Sequence, residues 1–276
     1  MGLWIQTTGL VFSAVCGIAA GTFFSRFRRH YWLLGYALPM VMIVIMVISR
    51  YCSWFAFAPP LSWIAGGRIR FVVYAFVATM GLTAPFSRLP YRFEKAVVAT
   101  LMALIVTCFS VIPFVAPVFF RDTLAHLTTR LDPDGVCLQS THYTCGPAAA
   151  VTALGELGLQ ASEGELAVLS YSSPITGTLP MCLATAIESK YAGQGLECRY
   201  RGFDSISELN SEGITLAVVR DAFLYDHCIA VLRVSADNII VADPALGKLT
   251  IPREQFRKIW RFAGIELTRS MAAGRT

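Results

Sequence analysis

A cysteine becomes a nucleophile when its thiol ionises, and a helix start, an imidazole partner and a group that orients the imidazole all favour this. Cys145 stands in Thr144-Cys145-Gly146-Pro147, and Pro147 suits a first helical turn. The partial positive charge of a helix N-terminus favours a thiolate. An ordinary thiol with a pKa near about 8.5 is only a few per cent ionised at neutral pH, and a fall of about two units makes the thiolate the main form. Of the four histidines, His30 lies in a basic loop and His126 close to an apolar stretch. His142 precedes Cys145 by three residues, and His227 opens an apolar run. Asp243 follows His227 by 16 residues, at the end of the next such run. Adjacent antiparallel strands would bring these two side chains together, with Asp243 orienting the imidazole. Gln139, six residues before Cys145, offers a side-chain amide to an oxyanion, with the backbone N–H of Cys145 as the second donor.

Taken singly, each of these residues has an ordinary structural role. A buried cysteine is usually a small inert hydrophobe, a strand histidine a satisfied polar group, and Asp243-Pro244 a turn starter. His142 reads as a loop residue near the cleft. The other cysteines of this half are Cys137, Cys182, Cys198 and Cys228, which allow two disulfides in three connectivities or four unpaired thiols. A zinc site from Cys137, His142 and Cys228 lacks a Cys-x-x-Cys pair, so no metal or cofactor is called for. Cys16, Cys52 and Cys108 fall in or beside apolar stretches and read as packing residues.

The elements that must carry these residues alternate in a simple order. Apolar spacing predicts helices over 145–158, 163–169 and 179–191, then strands over 197–201, 214–219, 227–234, 239–242 and 248–251, then a short terminal helix over 253–260. Helices followed by a run of antiparallel strands fit an α+β domain.

The first half of the chain is of another kind. Overall, 55% of the 276 residues are hydrophobic and 15% charged, and mean hydropathy is +0.57. Soluble chains carry about 25% charge. Residues 1–124 hold 10 Lys/Arg and 2 Asp/Glu, whereas 125–276 hold 13 and 16. This divides the chain into a transmembrane region, 1–124, and a soluble domain of ordinary composition, 125–276. Stretches 3–24, 31–49, 71–87 and 96–120 lack Asp, Glu, Lys and Arg, and each nears the roughly 20 residues that cross a bilayer. Pro113 and Pro117 predict a kink or unwinding in the fourth. Stretch 51–67 is broken at Pro59-Pro60 and reads as an interfacial loop with Trp54 and Trp63 at headgroup depth, or a re-entrant hairpin. The first stretch lacks the basic start of a signal peptide and reads as an uncleaved anchor. Arg26, Arg28, Arg29, Arg88, Arg92 and Lys95 outnumber Arg50, Arg68, Arg70 and Arg121, so both termini are expected outside the cytoplasm, with the domain periplasmic or extracellular. The basic residues flank apolar stretches in runs no longer than two, so a lipid bilayer is the expected partner and nucleic acid is not. The spans contain no Asp, Glu, Lys or Arg, which argues against a transporter or channel.

Gln139-Ser140-Thr141-His142-Tyr143-Thr144-Cys145-Gly146-Pro147-Ala148-Ala149, Asp226-His227 opening a strand, and Ala242-Asp243-Pro244 together resemble the bacteriocin-processing cysteine peptidases, the double-glycine leader peptidase family. The resemblance covers about 132–268 and includes Glu254-Gln255-Phe256 and Trp260. It implies a papain-like fold with Cys145 as nucleophile, His227 as general base and acid, Asp243 as orienter and Gln139 as oxyanion donor. It also implies a peptide or protein substrate cut after Gly-Gly or a similar small-residue site. Thr144 stands where many members have Asp. The chain has four spans where exporter-fused members have six, and no phosphate-binding loop. The fused domains are cytoplasmic, against the orientation given by the basic loops. The resemblance leaves room for a membrane partner protein, for a non-catalytic leader-binding module, and for an acyl-transfer enzyme (transpeptidase or amidase) using the same four residues.

Overall fold

The computed structural model describes residues 3–27, 29–59, 61–62, 66–210, 213–222 and 225–269. Arg28, Pro60 and Trp63 lie outside them. The chain divides into two compact units, Met1–Val115 and Ala116–Thr276.

The first unit is helical: α1 (Leu3–Ser25), α2 (Leu34–Tyr51), the short α3 (Ser53–Phe57), α4 (Ile69–Thr83), α5 (Arg92–Val106) and the start of α6 (Ile112–Phe119). Four stretches are long and apolar enough to cross a membrane: Thr7–Ser25, His30–Ser49, Ile69–Arg88 and Arg92–Phe119. They coincide with the four apolar stretches of the sequence. Helix α1 packs along α4 at close range, and a Cβ on Gly21 would lie 2.6 Å from the Met80 carbonyl oxygen. Small residues permit such approach where two apolar helices meet. Thr79 and Thr83 donate their hydroxyls to the carbonyls of Ala75 (2.7 Å) and Thr79 (2.5 Å), so neither exposes an unmet donor. Between α5 and α6 the helix widens to a π turn over Thr107–Val111. Pro113 follows, and its ring and missing N–H oppose regular bonding to the preceding turn. The kink expected in the fourth span thus takes the form of a π turn. Arg68 is not a solvated loop residue: it is 8% exposed, donates to the Phe114 carbonyl at 2.6 Å and stacks on the Phe114 ring at 4.2 Å.

The second unit is an α+β domain of papain-like type. It contains α7 (Arg121–Ala125), α8 (Cys145–Glu156), α9 (Glu163–Leu169), α10 (Pro180–Tyr191) and α11 (Arg253–Ile259). Its sheet comprises β3 (Leu196–Gly202), β4 (Ile214–Ala222), β5 (Tyr225–Val234), β6 (Asn238–Asp243), β7 (Gly247–Pro252) and β8 (Trp260–Arg269). A two-stranded ribbon, β1 (Arg130–Leu131) with β2 (Cys137–Leu138), precedes it. All pairs are antiparallel, in the order β3-β8-β4-β5-β6-β7. The helix expected over 253–260 ends at Ile259, and the following residues form β8, a strand absent from the sequence reading that inserts between β3 and β4.

Two apolar clusters flank the sheet, as the period-2 alternation of strands requires. One joins Ala148, Ala149 and Leu154 of α8 and Leu183 and Ile187 of α10 to Leu216, Ala230 and Ala242. The other joins Phe203, Val219, Ile229, Val241, Phe256 and Trp260. Helix α8 can be this deeply buried because its face is built of alanines.

Candidate active site

Cys145 is the first residue of α8, half-buried at the end of a helix whose next nine residues, Gly146–Leu154, are buried. The preceding loop is held by its own side chains. Thr144, fully buried, donates its hydroxyl to the Thr141 carbonyl at 3.1 Å and accepts from the Thr141 N–H at 3.2 Å. Thr178 donates to the Tyr143 carbonyl at 3.2 Å. The thiol therefore stands at a fixed helix start, where the backbone N–H groups favour negative charge.

Strands β5 and β6 bring the other two groups together. Ala230 pairs with Ala242 and Val231 with Val241. That register sets Asp243 opposite Ile229, and His227 becomes its diagonal neighbour on the same side of the sheet. The His227 Nε2 and Asp243 Oδ1 are 2.8 Å apart, with side chains 17% and 14% exposed. Nδ1 is left to face Cys145, which lies near enough to act on the imidazole along with Asp243. Burial pulls the imidazole pKa down, but hydrogen bonds to Asp243 and Cys145 and the charges of both outweigh it and raise the value to about 10. Burial pushes the Asp243 carboxyl up, but hydrogen bonds from His227, the Ala245 N–H (2.8 Å) and the Leu246 N–H hold it below the usual carboxylate range. The turn that supplies these N–H groups closes at Gly247, whose φ of +85° favours glycine.

Gln139 joins the group through its backbone, its N–H donating to the Pro244 carbonyl at 2.9 Å, one residue beyond Asp243. Its side-chain Oε1 is buried without a hydrogen-bond partner. An unpaired buried acceptor costs about 1–3 kcal/mol. His142 is exposed, edge-on to Tyr143 at 5.1 Å.

Two features of the site have no counterpart in the sequence reading. Cys228 lies close enough for the charges of Cys145 and Asp243 to act on it, and burial first, then those charges, push its pKa well up. Glu163 is fully buried and accepts two hydrogen bonds from Ser140. Nothing in the pattern marks it, since a glutamate in a first helical turn is ordinarily solvated. All eight cysteines are free thiols, so of the two alternatives for Cys137, Cys182, Cys198 and Cys228 the structure contains the unpaired one. Burial raises Cys137 and Cys198 to about 12. Among the described residues no three His, Cys, Asp or Glu side chains are grouped to hold a metal.

The Peptidase C39 family model matches residues 135–272, half of the chain. The chain belongs to the Peptidase C39 family. This membership supports a cysteine-type peptidase. An uncharacterized protein of Methanothermobacter thermautotrophicus is 33% identical over 134 residues, which are 49% of this chain and 88% of that protein. Another from Methanothermobacter marburgensis is 33% identical over 130 residues, 47% of this chain and 85% of its own length. Among solved structures, the peptidase domain of Streptococcus ComA, a bi-functional ABC transporter involved in quorum sensing, is 21% identical with a TM-score of 0.42, covering 48% of this chain and 96% of that domain. A double glycine motif protease from an AMS/PCAT transporter, solved with its leader peptide, is 16% identical with a TM-score of 0.40, covering 52% and 96%. Both of those domains come from transporters; in this chain the family match follows four candidate membrane helices.

Proposed function

We propose that this chain is a membrane-anchored cysteine peptidase, with residues 1–124 as the transmembrane region and the peptidase domain, 125–276, at the periplasmic or outer face. The observation that carries the reading is the imidazole of His227, hydrogen-bonded to Asp243 at 2.8 Å and close enough to Cys145, at the start of α8, for the thiol to act on it. An imidazole in that position takes the thiol proton, and the resulting thiolate–imidazolium pair is stabilised by the Asp243 carboxylate and by the helix terminus.

The Cys145 sulfur attacks the scissile carbonyl carbon, and the carbonyl electron pair moves to oxygen. The Cys145 N–H and the Gln139 amide hold that oxyanion. As the tetrahedral intermediate collapses, the C–N bond breaks and the imidazolium gives its proton to the leaving amine. Water, deprotonated by the neutral imidazole, then attacks the thioester; the acid is released and Cys145 is regenerated. Asp243 keeps the ring oriented and need not change protonation. Helix α8 is lined by Gly146 and alanines, and the family resemblance extends the reading to substrates with small residues, such as Gly-Gly, before the cut. A non-catalytic leader-binding module has no need of a thiol beside an imidazole that is itself held by a carboxylate.

Membrane-impermeant thiol labelling of Cys145 at pH 6, on intact spheroplasts and after lysis, tests both parts. An ordinary thiol is well under about one per cent ionised there. Fast labelling of intact spheroplasts that is lost in His227→Ala is expected. Fast labelling only after lysis reverses the orientation and keeps the enzyme. Slow labelling of an accessible, free thiol in both overturns the catalytic reading.

A further inference from the structure

Among the described residues Glu163 is the one carboxylate with no solvent exposure. A buried carboxylate ordinarily requires a cation or several hydrogen bonds. No ion pair among the described residues includes Glu163. Both of its oxygens are instead committed to one residue. The Ser140 N–H donates to Oε1 at 2.8 Å and the Ser140 hydroxyl to Oε2 at 2.7 Å. The Glu163 N–H in turn donates to the Thr129 hydroxyl at 3.0 Å, which ties the start of α9 to the segment just before β1.

Ser140 is the residue after Gln139. On its other side Gln139 is tied to the Pro244 carbonyl, next to Asp243. The Gln139 side chain has no such tie at its buried Oε1. Its direction therefore comes from the backbone on either side of it: one tether anchored in the Asp243 turn, the other a charge-assisted pair of bonds to Glu163. Charge-assisted hydrogen bonds are about twice as strong as neutral ones. A bidentate pair on one residue also fixes an orientation, which a single bond does not.

We propose that Glu163 is a positioning residue for the oxyanion donor: by gripping Ser140 it holds the Gln139 amide where the carbonyl oxygen becomes charged during attack by Cys145. The proposal rests on the catalytic reading of Cys145 and Gln139 given above. It differs from a purely structural role in what it leaves untouched. Alkylation of Cys145 by iodoacetamide displaces iodide at a saturated carbon and creates no oxyanion. Addition of the thiolate to a peptide aldehyde forms a C–S bond, opens the C=O double bond and leaves a hemithioacetal oxygen in the oxyanion position. A misplaced donor weakens the second reaction and not the first.

The test uses the full-length chain in detergent and two probes: iodoacetamide, and a short peptide aldehyde ending in Gly-Gly, its affinity read by protection of Cys145 from iodoacetamide. In Glu163→Gln the charge is lost: the amide oxygen accepts from the Ser140 N–H, and the N–H₂ can only donate to the Ser140 hydroxyl oxygen, whose proton turns to the Thr128 carbonyl 3.2 Å away, so the charge-assisted grip becomes a neutral one. Labelling within about twofold of the parent chain is expected, with aldehyde affinity reduced about tenfold, less than the 10²–10³ lost when an oxyanion donor is removed. Gln139→Ala is expected to lose more. The double variant is expected to be no weaker than Gln139→Ala alone, because residues that act through one another are not additive. Parent-like aldehyde affinity in Glu163→Gln, or losses that add in the double variant, overturn the proposal. If Glu163→Gln does not fold, Ser140→Ala decides: it removes the hydroxyl bond and keeps the backbone one, and parent-like aldehyde affinity there is equally fatal. A parent chain whose Cys145 labels no faster than an ordinary thiol at pH 6 fails the catalytic reading itself, which is distinguishable from failure at Glu163.

Discussion

The two units of this chain distribute apolar surface in opposite ways. In the first, Phe12, Phe23, Met40, Val47 and Leu104 point outward at 71%, 59%, 56%, 54% and 58% exposure, and only 17% of the Thr7–Ser25 window is buried. In the second, Leu154, Leu166, Leu216 and Phe256 are fully enclosed. The first unit therefore needs an apolar medium to cover it, whereas the second covers itself. The lesson is about where each kind of residue can act. Reactive polar groups belong in the unit that builds its own interior, where the hydrogen bond between His227 and Asp243 is largely shielded from water. The helical unit carries four helices long and apolar enough to cross a membrane.

The largest expected effect removes the chemistry and leaves both units standing. Cys145→Ala should abolish substrate processing, a loss of at least about 10³-fold by analogy with triad deletions. Its thermal unfolding should stay close to that of the parent chain, since the half-exposed thiol contributes little packing. Unchanged processing would place the chemistry elsewhere.

Matched truncations of one side chain type sharpen the comparison next. Leu154→Ala empties a fully buried position on α8 and should destabilise the second unit by about 2–5 kcal/mol. Leu104→Ala in the fourth candidate span removes a side chain that faces outward, and should cost below about 1 kcal/mol. Equal losses in detergent-solubilised thermal melts would mean that the spans pack as a self-contained core. A charge makes a similar contrast. Phe12→Arg, 71% exposed on α1, should impair membrane insertion by about 2.5–3.5 kcal/mol, read as lost membrane-fraction protein. Leu131→Arg, 61% exposed on β1, should stay within about 0.5 kcal/mol. If the two behave alike, Phe12 does not face lipid.

The sequence makes one part of this arrangement legible and hides another. Composition alone separates a stretch of helices long and apolar enough to cross a membrane from one that folds on itself. The spacing of Cys145, His227 and Asp243 is readable because a helix start and two paired strands are local patterns, and the register of β5 on β6 then delivers the 2.8 Å contact. Strand β8 is hidden because its alternation is interrupted. Its pairing with β4 slips between Gly264 and Trp260, and Phe262 takes a φ of +52°, so period 2 starts only after the bulge. The ribbon β1–β2 is two residues long on each side, too short for any period to show. Glu163 is hidden for a different reason. A carboxylate in a first helical turn is favoured by the helix terminus wherever it points, so its residue type says nothing of its burial.

The mildest expected effect tests the shielding of the His227–Asp243 pair by titration. The imidazole is raised to about 10 in the folded chain, against about 6.5 unfolded. A raised pKa means that the protonated form is preferred by the fold. Its contribution to stability is thus complete below about pH 6.5 and fades as pH rises through 10. Asp243, held below its usual range, contributes above the ordinary carboxylate pKa and loses its contribution in acid as pH falls through the folded value. Catalysis should show the alkaline limb more selectively. Peptide cleavage needs an imidazolium to protonate the leaving amine, so its rate should halve near pH 10 and fall about tenfold per further unit. Alkylation of Cys145 by iodoacetamide needs only the thiolate and should not fall over the same range. In Asp243→Asn the imidazolium loses its nearest charge, and the alkaline limb of cleavage should move toward neutrality. A limb that stays put would mean that the Cys145 thiolate alone sustains the imidazolium and that Asp243 serves only to aim the ring.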